Sequence, residues 1–293
     1  MSAGAAHRAS HRRLGQERQR ALTRALAYLL LTAGAIIIMI PFFWMISTSL
    51  KKQWDVYQFP PVWIPNPPQW QNYPQALSSY PFGLYLLNTL RVVIFANLGT
   101  LFSCSLAAYG FARLRAPGRD VIFILLLATM MLPYTVTMIP IFMVFNRLHW
   151  VDTFRPLIVP AFFGTAFYIF LLRQFFLTIP RELEDASRID GCNPFQTFWR
   201  IILPLAKPAL ATVAIFQFMD SWNDFLGPLI YLSDENHRTL ALALAYFQGS
   251  ARVGPQMHLM MAVAFVVLIP PLLLFFFAQR LFIQGIVFTG VKG

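Results

Sequence analysis

The sequence predicts an all-α, polytopic membrane protein of six transmembrane helices. Hydrophobic residues make up 57% of the chain and charged residues only 12%, outside the range of soluble domains. The apolar residues also gather in stretches, at about 21–50, 84–112, 121–145, 156–177, 208–232 and 259–282. Each is long enough to cross about 30 Å of hydrocarbon. The third observation is a charge-dense segment, residues 181–204, set between the fourth and fifth stretches.

Residues 1–24 carry Arg8, Arg12, Arg13, Arg18, Arg20 and Arg24 against one acid, Glu17, and read as a solvated basic tail preceding a transmembrane domain of residues 25–293. The apolar run after the tail is too long for the core of a signal peptide and lacks a small-residue cleavage site, so it is expected to stay as an anchor. Six spans place both termini on one side. That side collects the tail arginines, Arg113, Arg115, Arg119, the five basic residues from Arg173 to Lys207, Arg280 and Lys292. The other side holds Lys51, Lys52, Arg91, Arg147, Arg155, Arg238 and Arg252. By the positive-inside rule the richer side is cytoplasmic. This distribution also accounts for the pI near 10 without nucleic acid. The two cysteines, Cys104 and Cys192, imply no disulfide framework.

The external segment 51–83 holds Pro60, Pro61, Pro65, Pro67, Pro68, Pro74 and Pro81 with Trp54, Trp63 and Trp70, and is expected to be stiff and extended. Two readings stand for it: an aromatic cover over the helix ends at the membrane interface, or a docking surface for an external partner. The second external loop, 233–258, is polar enough to face a partner or water. Pro133, Pro140 and the pair Pro270-Pro271 predict kinks or partial unwinding in spans three and six, and Gly227-Pro228 a bend in span five.

Segment 181–204 spells two short helices and a bend. Pro180 suits a first helical position, and Glu182, Glu184 and Asp185 follow where the helix dipole favours negative charge. Gly191 stops this helix, Asn193-Pro194 restarts another as cap and first residue, and Pro204 limits it. On the second helix Phe195, Phe198, Trp199 and Ile202 share one face by helical spacing, an apolar stripe that needs a groove on this chain or another.

Asp185-Ala186-Ser187, Gly191, Ile201, Leu203 and Pro204 resemble the EAA loop of ABC-importer permeases, with Asp185 in place of the usual Glu and Ser187 in place of the second Ala. The likeness extends from about residue 25 onward. Ala108–Leu114, Leu172–Phe176, Trp222–Phe225, Gln279–Phe282 and the closing Gly290–Gly293 are similar to carbohydrate-importer permeases of the six-span maltose-importer type. The resemblance implies a type I ABC importer permease fold in the cytoplasmic membrane. It also implies a second permease subunit, two ABC ATPase subunits that bind the ATP and Mg, and an extracytoplasmic solute-binding protein. This chain would bind no cofactor itself and would not be an enzyme. On this reading Glu184, Asp185, Ala186, Ser187, Asp190, Gly191, Phe195, Phe198, Trp199, Ile201, Leu203 and Pro204 form the ATPase-coupling loop, with Phe195, Phe198 and Trp199 buried in the ATPase groove.

Span five alone carries a clear polar stripe. Gln217, Asp220, Ser221 and Asp224 share a helical face, with Trp222 and Asn223 beside it. A mid-bilayer aspartate costs ~2.5–3.5 kcal/mol on the insertion scale, so this face is expected to meet protein or a wet cavity. It borders a translocation pathway for sugar hydroxyls, with Trp222 offering an apolar surface, or it closes the bundle by interhelical hydrogen bonds. An ion-coupled secondary carrier using Asp220 and Asp224 is the alternative function, and an intramembrane enzyme a distant third. The sequence contains no phosphate-binding loop, and its histidines, His7, His11, His149, His237 and His258, show no metal-ligand spacing.

Overall fold

The computed structural model describes residues 3–249 and 256–290. Val291, Lys292, Gly293 and Arg252 lie outside the described residues, as do the side chains of Arg8, Arg12, Arg13, Arg18 and of residues 280–290. The described secondary structure is helical throughout: α1 (Ala3–Ser49), α2 (Asn72–Ser78), α3 (Phe82–Arg113), α4 (Arg119–Thr129), α5 (Tyr134–Arg147), α6 (Arg155–Ile158), α7 (Ala166–Thr178), α8 (Glu182–Ile189), α9 (Pro194–Thr197), α10 (Leu203–Leu205), α11 (Lys207–Asn223), α12 (Leu226–Tyr231), α13 (Leu240–Gly249) and α14 (Met257–Gly290). Among the described residues four stretches are long and apolar enough to cross a membrane, Leu22–Ser49, Phe82–Arg113, Arg155–Thr178 and Met257–Gln279. Two bent helix pairs bring the number to six if each pair is one span.

The bends have local causes. Span three breaks into α4 and α5, which meet at 100°. Pro133 stands at the N-cap of α5, and proline there lacks a donor and disfavours helical backbone at Leu132. Pro140 lies inside α5, and Pro270 and Pro271 inside α14, with the helix running through them, so the unwinding expected there is not seen. One missing donor costs about 3 kcal/mol, which a long apolar helix can offset. Span four is interrupted by a short 3₁₀ turn at Val159–Phe163 and by Gly164 at φ +86°. Span five ends at Asn223, and α12 follows after a break at Asp224. The backbone at residue 24 is continuous, because α1 is helical through the stretch expected to be a separate tail. Segment 51–83, expected to be extended, is not wholly so, since α2 lies near its end, and segment 233–258 contains α13.

The chain divides into two units, one of residues up to Tyr73 with Gln256–Phe265, the other of the remainder. In the first, Phe265 packs its ring against Phe42 and Tyr73, with centroids at 6.1 and 6.3 Å. In the second, α3 is the central post against which α7 and α11 pack. Small residues make that approach close: Cys104, Ala108 and Ala112 recur every four positions along α3 and are fully or almost fully buried. Elsewhere on α3, Gly99 is buried against Phe162, and a Cβ there would sit 2.6 Å from its ring. The core around these residues takes in Tyr168, Ile169, Leu172 and Phe176 of α7, then Phe198, Ile202, Ala206, Ala209 and Val213. Segment 181–204 is therefore built into the bundle core at one of its edges.

Candidate functional site: a two-helix loop and a polar helix face

The first turn of α8 carries Glu182, Glu184 and Asp185, placed where the positive helix end stabilises them. Its cap is Arg181 and its first residue Glu182, two residues later than the Pro180 start expected from sequence. The helix closes on a Schellman motif. Gly191 adopts φ +81°, its N–H donates to the Arg188 carbonyl at 3.0 Å, and Cys192 N–H donates to the Ser187 carbonyl at 2.9 Å. Asn193 then opens α9 with a capping box: its Oδ1 accepts from Gln196 N–H at 2.8 Å, and Gln196 Oε1 accepts from Asn193 N–H at 2.9 Å.

Two buried polar contacts fix the loop. Ser187 and Thr197 share a hydroxyl hydrogen bond of 2.9 Å that ties α8 to α9 across the bend. Glu184 points inward rather than into water and pairs with Arg113 at the end of α3, Nε to Oε1 3.1 Å, their side chains 8% and 2% exposed. The Arg113 guanidinium also donates to the carbonyls of Phe176 and Ile179 at the end of α7. One arginine thus joins α3, the end of α7 and α8.

The apolar stripe is divided. A π-turn over Phe198–Ile202 breaks the 3.6-residue register. Phe198 and Ile202 turn into the chain's own core, where the Phe198 ring lies 5.1 Å from that of Tyr109. Phe198 is fully occupied there, which corrects its assignment to an ATPase groove. Phe195 and Trp199 remain outside, 62% and 51% exposed and stacked on one another with centroids 6.2 Å apart. Ile189, which the sequence reading did not single out, projects at 87% exposure from the end of α8. Asp185, Ala186, Asp190 and Pro204 are exposed, and Ile201 and Leu203 half-buried. Pro204 does not end the helix, since α10 carries on to Leu205 before a 78° bend into α11.

On α11 the predicted stripe also splits. Gln217 Oε1 accepts from Thr100 of α3 at 3.1 Å, and its Nε2 donates to Ser221 at 2.8 Å. Asn97 of α3 donates to the Ala214 carbonyl at 2.9 Å, so this side of α11 is sewn to the central post. Asp220 is exposed, and its Oδ2 accepts from the Tyr168 hydroxyl of α7. Asp224 lies beyond the helix, where Oδ1 accepts from Gly227 N–H at 3.0 Å and caps α12. Trp222 is 2% exposed, its indole N–H donating to the Val267 carbonyl of α14 at 3.3 Å. It offers no apolar surface to a solute, contrary to expectation. Asn223 is exposed and bonds back to the Met219 carbonyl.

A third arrangement escaped the sequence reading. Asp152, in the loop before α6 at φ +62°, accepts on Oδ1 from the N–H groups of Ser233 and Asp234, each at 2.9 Å. His237 Nδ1 lies 3.4 Å from the same oxygen, and Asp152, Asp234 and His237 form a cluster of possible ligands within 4.8 Å. The backbone N–H of Asp234, with those of Ser233 and the His237 ring assisting, holds the Asp152 carboxyl below its ordinary range. Because that oxygen is already filled by N–H donors, the cluster functions as a latch between two loops. Asn88 of α3 tightens it, donating to the carbonyls of Asn236 and Arg238 at 2.7 and 3.0 Å.

An all-helical set of four to six spans carrying a capped two-helix loop at one edge of its core is the fold of a type I ABC importer permease. The family described as binding-protein-dependent transport system inner membrane component matches residues 99–287. The sn-glycerol-3-phosphate transport system permease protein UgpE of Yersinia enterocolitica is 32% identical over 266 residues, 89% of this chain and 94% of that protein. The arabinooligosaccharides transport system permease protein AraQ of Bacillus subtilis is 36% identical over 209 residues, 71% of this chain and 73% of its own length. Among solved structures, a chain of a bacterial ABC transporter involved in the import of the acidic polysaccharide alginate superposes with a TM-score of 0.80. It is 25% identical, with 90% of this chain and 97% of that chain covered. The chain belongs to the binding-protein-dependent transport system inner membrane component family.

Proposed function

We propose that the chain is one of two permease subunits of an ATP-driven importer for a carbohydrate or polyol-type solute. Two separate ATPase subunits dock on residues 181–204, and an extracytoplasmic binding protein delivers the solute. Both termini and the loop face the cytoplasm, as the basic residues favour. The observation that carries this reading is the division of labour in the loop. Arg113–Glu184 and Ser187–Thr197 hold it from inside, while Ile189, Phe195 and Trp199 stand exposed on its outer face. An apolar knob on a well-capped scaffold has no use in open solvent and suits a complementary groove. ATP and Mg would be bound by the ATPases, and motion of the docked loop would reach the bundle through the core shared by Phe198, Tyr109 and α11.

The solute class rests on the relatives, whose names specify glycerol 3-phosphate, arabinooligosaccharides and alginate. Asp220, Gln217 and Ser221 remain the pathway candidates on this chain, with Tyr168 added as the partner of Asp220. Uptake measured in vesicles holding the complex purified from its native membrane tests the reading. Entry of a labelled glycoside, oligosaccharide or glycerol phosphate should require both ATP and the binding protein. Uptake driven by a proton or sodium gradient without ATP would return Asp220 and Asp224 to the role of a carrier's ion site.

A further inference from the structure

The proline- and tryptophan-rich segment after α1 has no part in coupling or in the polar face of α11. The end of the first span and residues 63–73 are laced together. Ser47 Oγ donates to the Trp63 carbonyl at 2.5 Å, and Gln69 N–H to the Leu50 carbonyl at 2.9 Å. Asn72 Nδ2 donates to the carbonyls of Ser49 and Lys51 at 2.8 and 2.9 Å, and the Tyr73 hydroxyl lies 2.8 Å from Ser49 Oγ. Trp63 sets its ring edge-on to Trp44, centroids 5.1 Å apart, and Lys51 Nζ lies 3.6 Å over the Trp44 ring. The segment therefore folds back along the span instead of projecting away from it.

That return fixes its depth. The span Leu22–Ser49 has 28 residues, about 42 Å of helix against about 30 Å of hydrocarbon. The excess leaves room for its last few residues in the headgroup layer. Trp44 stands about 7.5 Å before the helix end by the helical rise, close to the hydrocarbon boundary, and Trp63 is held beside it. In the same segment Trp54, Phe59, Ile64 and Trp70 are 83%, 92%, 75% and 66% exposed. Asp55 is the one charged residue between Gln53 and Tyr73. Pro60, Pro61, Pro65, Pro67 and Pro68 have no N–H to leave unpaired, which lowers the cost of irregular backbone at the membrane surface.

We propose that residues 54–70 form an interfacial flap, lying in the headgroup layer at the Ser49 end of the first span and seating Trp54, Phe59, Ile64 and Trp70 among lipids. Aromatic side chains with polar edges favour this layer. Lys51, at the root of the flap, has a fully buried side chain, and burial pushes its ammonium toward neutrality. Its occupant is the bilayer, the surface the first span already meets, in preference to a soluble protein.

The test places a nitroxide at Phe59→Cys and, separately, at Ile64→Cys, with Cys192→Ser removing the accessible native thiol. The labelled chain, with the subunits that co-purify with it, is reconstituted into phospholipid nanodiscs. Collision rates with oxygen and with a water-soluble nickel chelate are read by electron paramagnetic resonance, with Ala116→Cys, exposed in the loop between α3 and α4, as the aqueous reference. The flap predicts an oxygen-to-nickel ratio several-fold above the reference at both positions. A ratio equal to the reference overturns it. Protection from both colliders overturns it too, because the segment would then be covered by a protein partner. Two positions, both exposed and each free of a structural role, guard against one poorly folded variant.

Discussion

Arg113→Ala should release the loop from the bundle. In the native chain Arg113 faces Glu184 at 3.1 Å with both side chains almost fully enclosed, and it also donates to the carbonyls of Phe176 and Ile179. Alanine leaves a buried carboxylate without its counter-charge and two carbonyls without their donor. Breaking one side of such a pair costs about 3–5 kcal/mol, roughly two to nearly four powers of ten in the equilibrium between docked and undocked α8. Hydrogen–deuterium exchange of the purified complex reads this directly. Amides of 184–192 should exchange faster by about that factor, while amides in the middle of α3 keep their protection. Replacing both partners by leucine should recover only the part due to the unpaired charge, since the carbonyls of Phe176 and Ile179 still lack the Arg113 donor. Exchange in 184–192 within about threefold of wild type for Arg113→Ala would refute the view that this pair anchors the loop.

Gly191→Ala should cost about 1–2 kcal/mol through the left-handed backbone alone, because a Cβ there meets nothing within 4 Å. Gly191→Pro should be far worse, as it also removes the N–H donated to Arg188, and melting of the two purified variants will separate strain from the lost bond. Gly99→Ala should lower the melting temperature through its 2.6 Å clash with Phe162, an overpacking cost of about 1–3 kcal/mol. Phe162→Ala in the same chain should relieve it, and additive losses would disprove the contact. The Asp152 latch should depend on pH with a definite sign. Its native carboxyl titrates below the ordinary value, so its contribution is complete above about pH 4 and fades as pH falls through the lower native value. Exchange protection at Ser233 and Asp234, corrected for intrinsic rate, should hold down to that range. Loss already at about pH 6, far above the carboxylate range, would refute the latch.

Local chemistry made much of the loop legible in advance. The glycine at the end of α8 and the Asn193-Pro194 restart follow from backbone preferences that no tertiary contact overrides, while the reciprocal bond from Gln196 appeared only in the structure. The side-chain directions were not legible. A stripe at 3.6 spacing assumes unbroken α-helix, and the π-turn over Phe198–Ile202 sends Phe198 inward while Phe195 and Trp199 stay out. Placement at the helix N-terminus does not say which acid of α8 faces water. Glu184 does not, because Arg113, some seventy residues away in sequence, meets it across the fold. Tyr168 had no signal beyond an aromatic in an apolar span, and only the packing of α7 against α11 brings it to Asp220. Distance in sequence likewise hid the latch of Asp152 with 233–237.

The most direct test of the central claim compares Phe195→Ser/Trp199→Ser with the wild-type chain after purification from the native membrane in mild detergent. Both positions are exposed, so the variant should melt within about a degree or two of wild type, as surface changes usually do. The account predicts that the wild-type preparation retains an ATP-hydrolysing subunit and vanadate-sensitive activity, and that the double variant loses both. A double variant that keeps the ATPase and ATP-driven uptake at wild-type levels would contradict the assignment of residues 181–204 as the docking loop.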